Sequence, residues 1–110
     1  MIQDLSITIE KNMKKLDTAI RKRYDVCVAR ARAEYEYRSA LGAEMAQAKA
    51  EGMAATSLYD FCRGIDYIAE LRCNRDVLVA QEEFLTEMIF YYRTEIKIAT
   101  QQLEAERRGM

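Results

Sequence analysis

Charged residues interrupt what would otherwise be apolar helix faces, and four of them are spaced to act together. Glu34 and Arg38 fall on the inner face of the first half of this 110-residue chain, and Arg75 and Glu82 on the inner face of the second. If the halves fold back through residues 50–65, positions whose numbers sum to roughly 113–116 face one another, so all four meet at one height. A buried or half-buried Glu/Arg layer fixes register in helical bundles, at a cost in stability relative to apolar residues. Nucleotide or metal binding is the other chemistry open to these carboxylates. Both charge signs are present and can satisfy each other, which favours the register layer. Glu82, Glu83 and Glu87 also sit within one turn of each other. A metal-dependent hydrolase would need three carboxylates converging with no Lys or Arg between them, and such clusters are usually a solvated face.

Other catalytic chemistry is short of parts. There is no histidine, so neither a Ser-His pair nor a His general base exists. Glu51-Gly52-Met53 is too short for a glycine-rich phosphate loop. Cys27, Cys62 and Cys73 are odd in number and share no C-x-x-C spacing. A zinc site would need all three thiolates plus a carboxylate, or ligands from another chain, so buried thiols in a reducing compartment are the expectation. The reading is a protein that is not an enzyme and carries no metal or cofactor.

Tyr24, Tyr35, Tyr37, Tyr59, Tyr67, Tyr91 and Tyr92 could stack bases of single-stranded nucleic acid near Arg30, Arg32 and Arg38. Tyrosine is equally at home at helix interfaces, ring packed and hydroxyl wet, and that reading is preferred. The stretch from Lys11 to Arg38 has nine positive charges against four negative, short of the clear excess of a nucleic-acid module. Lys11, Lys14, Lys15, Arg21 and Lys22 form the solvated back of the first helix and are the candidate face for a partner or nucleic acid. Residues 1–50 carry ten Lys/Arg against seven Asp/Glu, and residues 51–110 seven against eleven, for a net charge of −1. The halves are therefore complementary, while the whole has no strong pull toward nucleic acid or membrane.

The elements that must position these residues follow from punctuation. The chain has no proline and four glycines, Gly42, Gly52, Gly64 and Gly109. Proline costs about 3 kcal/mol inside a helix and glycine about 1, so this distribution predicts long helices with one break. A 4-4-3 spacing (Leu5, Ile9, Met13, Leu16, Ile20, Tyr24, Cys27, Ala31, Tyr35) predicts one amphipathic helix over about 3–49 with an 11-residue repeat. Residues 50–57 form the turn. Gly52 is suited to the left-handed end of a helix, and Ser57-Leu58-Tyr59-Asp60 has the spacing of a capping box. A short helix over 58–63 should plug the end of a rod with Leu58, Phe61 and Cys62. A last helix over about 65–107 carries an apolar band wider than one partner helix can cover. Its outer row of Val77, Phe84, Met88, Tyr91 and Ile98 is the candidate self-association surface. The fold class is thus all-α: one long–short–long helical hairpin over 1–110, dimerising into an antiparallel four-helix bundle.

Around the hinge and after it stand Ala50-Glu51-Gly52-Met53-Ala54-Ala55-Thr56, then Asp60, Arg63-Gly64 and Leu71-Arg72-Cys73-Asn74-Arg75-Asp76. This pattern resembles small all-helical proteins encoded by phages and prophages of Gram-positive bacteria, often found among early genes near replication and recombination functions. The resemblance covers residues 34–105 and carries over no site residues. It implies an accessory phage protein in a bacterial cytoplasm. No run approaches ~18 apolar residues, and the N-terminus lacks the basic start and apolar core of a signal peptide, so no membrane partner is expected. The function expected is a non-catalytic interaction or accessory protein acting through self-association and an unidentified protein partner. The alternatives are a nucleic-acid-binding accessory factor of phage replication or recombination, and a carboxylate-site hydrolase.

Overall fold

The computed structural model describes residues 2–109. Three helices hold nearly all of them: α1 (Ile2–Ala50), α2 (Ala55–Arg63) and α3 (Asp66–Arg108). No strand occurs among the described residues. The exposed side of α1 is supported by ion pairs four residues apart, Glu10–Lys14, Asp17–Arg21 and Arg32–Glu36. Each contributes only about 0.3–0.5 kcal/mol, so packing has to supply the rest.

Burial along both long helices follows a heptad. On α1 the buried or half-buried positions step through Leu16, Ala19, Arg23, Val26, Arg30, Ala33, Tyr37 and Ala40. On α3 they step through Ile68, Leu71, Arg75, Leu78, Glu82, Leu85, Ile89, Tyr92, Ile96, Ala99 and Leu103. This corrects the 11-residue row expected for α1: Met13, Ile20, Tyr24 and Tyr35 are exposed, Tyr24 by 70%. A row repeating every 3.67 residues drifts around the helix, whereas a seam repeating every 3.5 stays on its partner. Alanines and the stems of arginines fill that seam, and a count of large apolar residues passes over them.

The chain divides into two compact units, one formed by the chain up to Asp25 with the chain from Glu82 on, the other by Val26–Gln81. In the first unit α1 and α3 run antiparallel, with Ala19, Leu85, Ile89, Ala99 and Leu103 buried. The second unit has a core of Tyr37, Leu41, Ala48, Leu58, Cys62 and Ile68, with Met45, Met53, Ile65 and Leu71 packed against it. Here α2 contributes Leu58 and Cys62, while Phe61, expected in the same plug, is exposed.

The turn after α1 is closed by backbone bonds alone. Gly52 donates to the Lys49 carbonyl at 3.1 Å and Met53 to that of Ala48 at 3.1 Å. This is a Schellman motif with glycine at its left-handed position, φ 95°. Both Met53 and Ala48 pack into the second unit's core, which supplies the hydrophobic contact such motifs carry. Because the reversal is finished by Met53, α2 starts at Ala55, earlier than expected. The capping box does not form: Ala54 is the N-cap, with no side-chain cap bond.

Two glycine substitutions should move stability in opposite directions in urea melts. Gly52→Ala forces a side chain into the left-handed region and should cost about 1 kcal/mol. Gly42 lies inside α1, and a Cβ there meets nothing within 4 Å. Gly42→Ala should therefore stabilise by about 0.5–1 kcal/mol. A loss at position 42 would mean that something unseen needs the glycine.

Candidate functional site

Two grooves collect the chemically notable side chains, one in each unit. The groove of the first unit has a volume of about 350 Å³ and lies between α1 and α3. Lys14, Lys15, Thr18, Ala19 and Lys22 form one wall; Phe84, Leu85, Met88 and Tyr92 form the other. The candidate self-association row and the basic face of α1, read from sequence as separate surfaces, thus share this groove through Phe84, Met88, Lys14, Lys15 and Lys22. Lys11 and Arg21 do not line it, and Arg21 is tied to Asp17 at 3.0 Å. Tyr91 stands beside it with its ring edge-on to Tyr92 at 5.8 Å. Val77, Phe84, Tyr91 and Ile98 are 46–64% exposed, and Phe90, which sequence reading missed, is 69% exposed. Phe90 is one residue off the heptad row and flanked by apolar neighbours, so its outward position depends on which face becomes the seam.

The second unit's groove, about 390 Å³, is lined by Glu34, Tyr37, Arg38, Leu41, Gly42, Met45, Tyr59, Arg63 and Arg75. Three of the four residues expected in the register layer meet here. Glu34 accepts from Arg38 Nε at 2.6 Å on Oε1 and from Arg75 Nη1 at 3.1 Å on Oε2. The fourth, Glu82, pairs with Arg23 at 3.5 Å in the other unit. The layer is therefore not a single set of four. α3 meets α1 several residues earlier than expected: Arg75 faces Glu34, and Glu82 and Thr86 face Arg23. α3 starts at Asp66, close to where expected, but alongside Glu44 and not the end of α1, because α2 packs Leu58 and Cys62 into the core with Leu41 and Ala48.

Arginine and tyrosine alternate around this groove. The Arg75 guanidinium lies 4.8 Å over the buried Tyr37 ring, and Arg63 lies 5.8 Å over Tyr59. Nearby, the Tyr67 hydroxyl donates to Glu44, which holds its pKa above the ordinary phenol value. Hydrogen bonds from Arg38 first, and Arg75 second, hold the Glu34 carboxyl below its ordinary 4.5. A carboxyl with a depressed folded pKa adds stability that is present above its unfolded value and lost as pH falls through the folded one. Glu34→Gln should therefore melt below the parent protein near neutral pH. The gap in Tm should narrow as pH falls below the ordinary carboxyl value of 4.5. A gap of constant size would mean that the Glu34 charge does not support the fold.

Among the described residues no three Cys, Asp or Glu side chains converge to hold a metal ion. None of the three cysteines is in a disulfide; Cys62 is buried and Cys27 half-buried, but Cys73 is exposed, contrary to the expectation of buried thiols. No described helix is long and apolar enough to cross a membrane. No known protein family, curated protein or solved structure matches the chain.

Proposed function

We propose that this chain is a non-catalytic interaction protein, of phage or prophage origin, whose working form is a homodimer joined along the outer row of α3. The observation that carries this reading is the exposure of Val77, Phe84, Tyr91 and Ile98, spaced seven apart on α3. Apolar area left in water forfeits about 25 cal/mol per Å², and a row of this length rarely goes uncovered in a soluble chain. Charge supports a second copy as the cover. Lys15 and Lys22 have no ion pair among the described residues, and neither do the exposed Glu83 and Glu87 on α3. A two-fold axis along the row would set the lysines of one copy against the glutamates of the other. The four-helix bundle and the protein partner belong to the same reading, as does the phage context implied by the hinge motif. A nucleic-acid role for the basic face has less support, since Lys14 and Arg21 are paired with Glu10 and Asp17 on their own helix.

Light scattering across a dilution series tests the dimer. The expected mass at micromolar concentration is twice 12.8 kDa. A mass of 12.8 kDa throughout would overturn the reading.

A further inference from the structure

Gly42 is the one groove residue that folding does not explain. It stands in the interior of a 49-residue helix, where glycine is a poor choice, and no neighbour approaches closely enough to require it. It does line the second unit's groove, where any larger residue would project into the space. Beside it are the thioether of Met45 and the buried Leu41, an apolar floor with a bare patch of backbone.

The rest of the groove carries surplus positive charge. Arg38, Arg63 and Arg75 line it with a single carboxylate, Glu34, and Asp76 beside it takes Arg75 Nε at 3.0 Å and Nη2 at 2.9 Å, so the excess is one guanidinium. Arg63 has no carboxylate partner among the described residues. It lies beside the Tyr37 hydroxyl, which favours its charge, while the nearby Arg75 opposes it. Arg75 is already held by Glu34 and Asp76, so an anion between Arg63 and the exposed Arg38 would pair the charge that remains. Stacking on Tyr59 orients the Arg63 guanidinium in advance, so less of its side-chain freedom is lost when a ligand arrives. Guanidinium groups in this fork geometry match phosphoryl oxygens.

We propose that this groove is a binding site for a small phosphorylated ligand with a flat ring, of the nucleoside phosphate class. Arg63 and Arg38 take the phosphoryl oxygens, and the ring lies over Gly42 against Met45. A volume of about 390 Å³ holds one such molecule and little more. The site is independent of the proposed dimer, since none of its residues belongs to the outer row of α3 downstream of Glu82.

Calorimetric titration with nucleoside 5′-monophosphates and 5′-diphosphates tests it, with free nucleosides and pyrophosphate as the two halves of the ligand. At least one nucleotide should bind, and each half should bind at least about tenfold more weakly. Arg63→Ala should weaken the nucleotide at least about tenfold. Gly42→Leu should weaken it by a similar factor while the melting temperature stays level or rises, which separates loss of the site from loss of the fold. Phe84→Glu with Tyr91→Glu should leave binding unchanged. Absence of heat with every nucleotide at millimolar concentration would overturn the proposal. So would nucleotide binding indifferent to Gly42→Leu, or pyrophosphate bound as tightly as any nucleotide.

Discussion

Ile68→Ala should lower the stability of the chain by about 2–5 kcal/mol. Ile68 and Cys62 are the only described residues with fully buried side chains, and they sit in one core with Tyr37, Leu41, Ala48 and Leu58. Removing three carbons there forfeits their transfer free energy and leaves a cavity. The surroundings are poorly able to collapse into it. The Ile65 amide is tied to Cys62 just before α3, and Gly64 to Asp60 and Phe61, so α2 and the start of α3 are held together by backbone bonds. Against a typical total of 5–15 kcal/mol, such a loss is a large share of the fold's margin. Urea denaturation at fixed protein concentration should show a lower midpoint with an unchanged slope. Phe61→Ala is the control: its ring is 58% exposed, so the change should stay within about 0.5 kcal/mol. Equal effects at the two positions would mean that the second unit's core is drawn wrongly.

Phe84→Glu combined with Tyr91→Glu should convert dimer to monomer and weaken association more than about 1000-fold. Each substitution appears twice across a two-fold axis, and each apolar ring contributes about 1.5–3 kcal/mol when buried. Both side chains are exposed within the chain, and glutamate is a better helix former than either aromatic. Helix content by circular dichroism should therefore persist while the mass by light scattering falls to 12.8 kDa. A dimeric mass that survives both changes would move the interface elsewhere. The exposed row on α1, Met13, Ile20 and Tyr24, is where to look next.

Helix number and the position of the reversal were legible in the sequence because they rest on residues with sharp local meaning. Absence of proline permits a 49-residue helix, and Gly52 provides the one left-handed position among the described residues. The seam was not legible. Its positions include Ala19, Arg23, Arg30 and Ala33, whose burial depends on the opposing helix, while the conspicuous Ile20, Tyr24 and Tyr35 face outward. Once the seam is misjudged, pairing across it shifts as well, which is why Glu82 was grouped with Arg75 when it pairs with Arg23. The candidate grooves were hidden for the same reason. Phe84 and Lys22 are 62 residues apart in the chain, and Gly42 and Arg63 belong to different helices. Local patterns marked most of these residues as notable, but register alone brings them together.

Glu34 uses one oxygen for Arg38 and the other for Arg75. The carboxylate thus has a spare partner. Arg38, which is exposed, can turn toward an incoming anion while Arg75, held also by Asp76, remains on Glu34, so no stage of the exchange leaves this half-buried negative charge alone. A one-to-one ion pair would have to break before either member could be lent out. The shared acceptor works as a latch with two bolts: Arg38 can be drawn while Arg75, which reaches across from α3, holds α1 to α3.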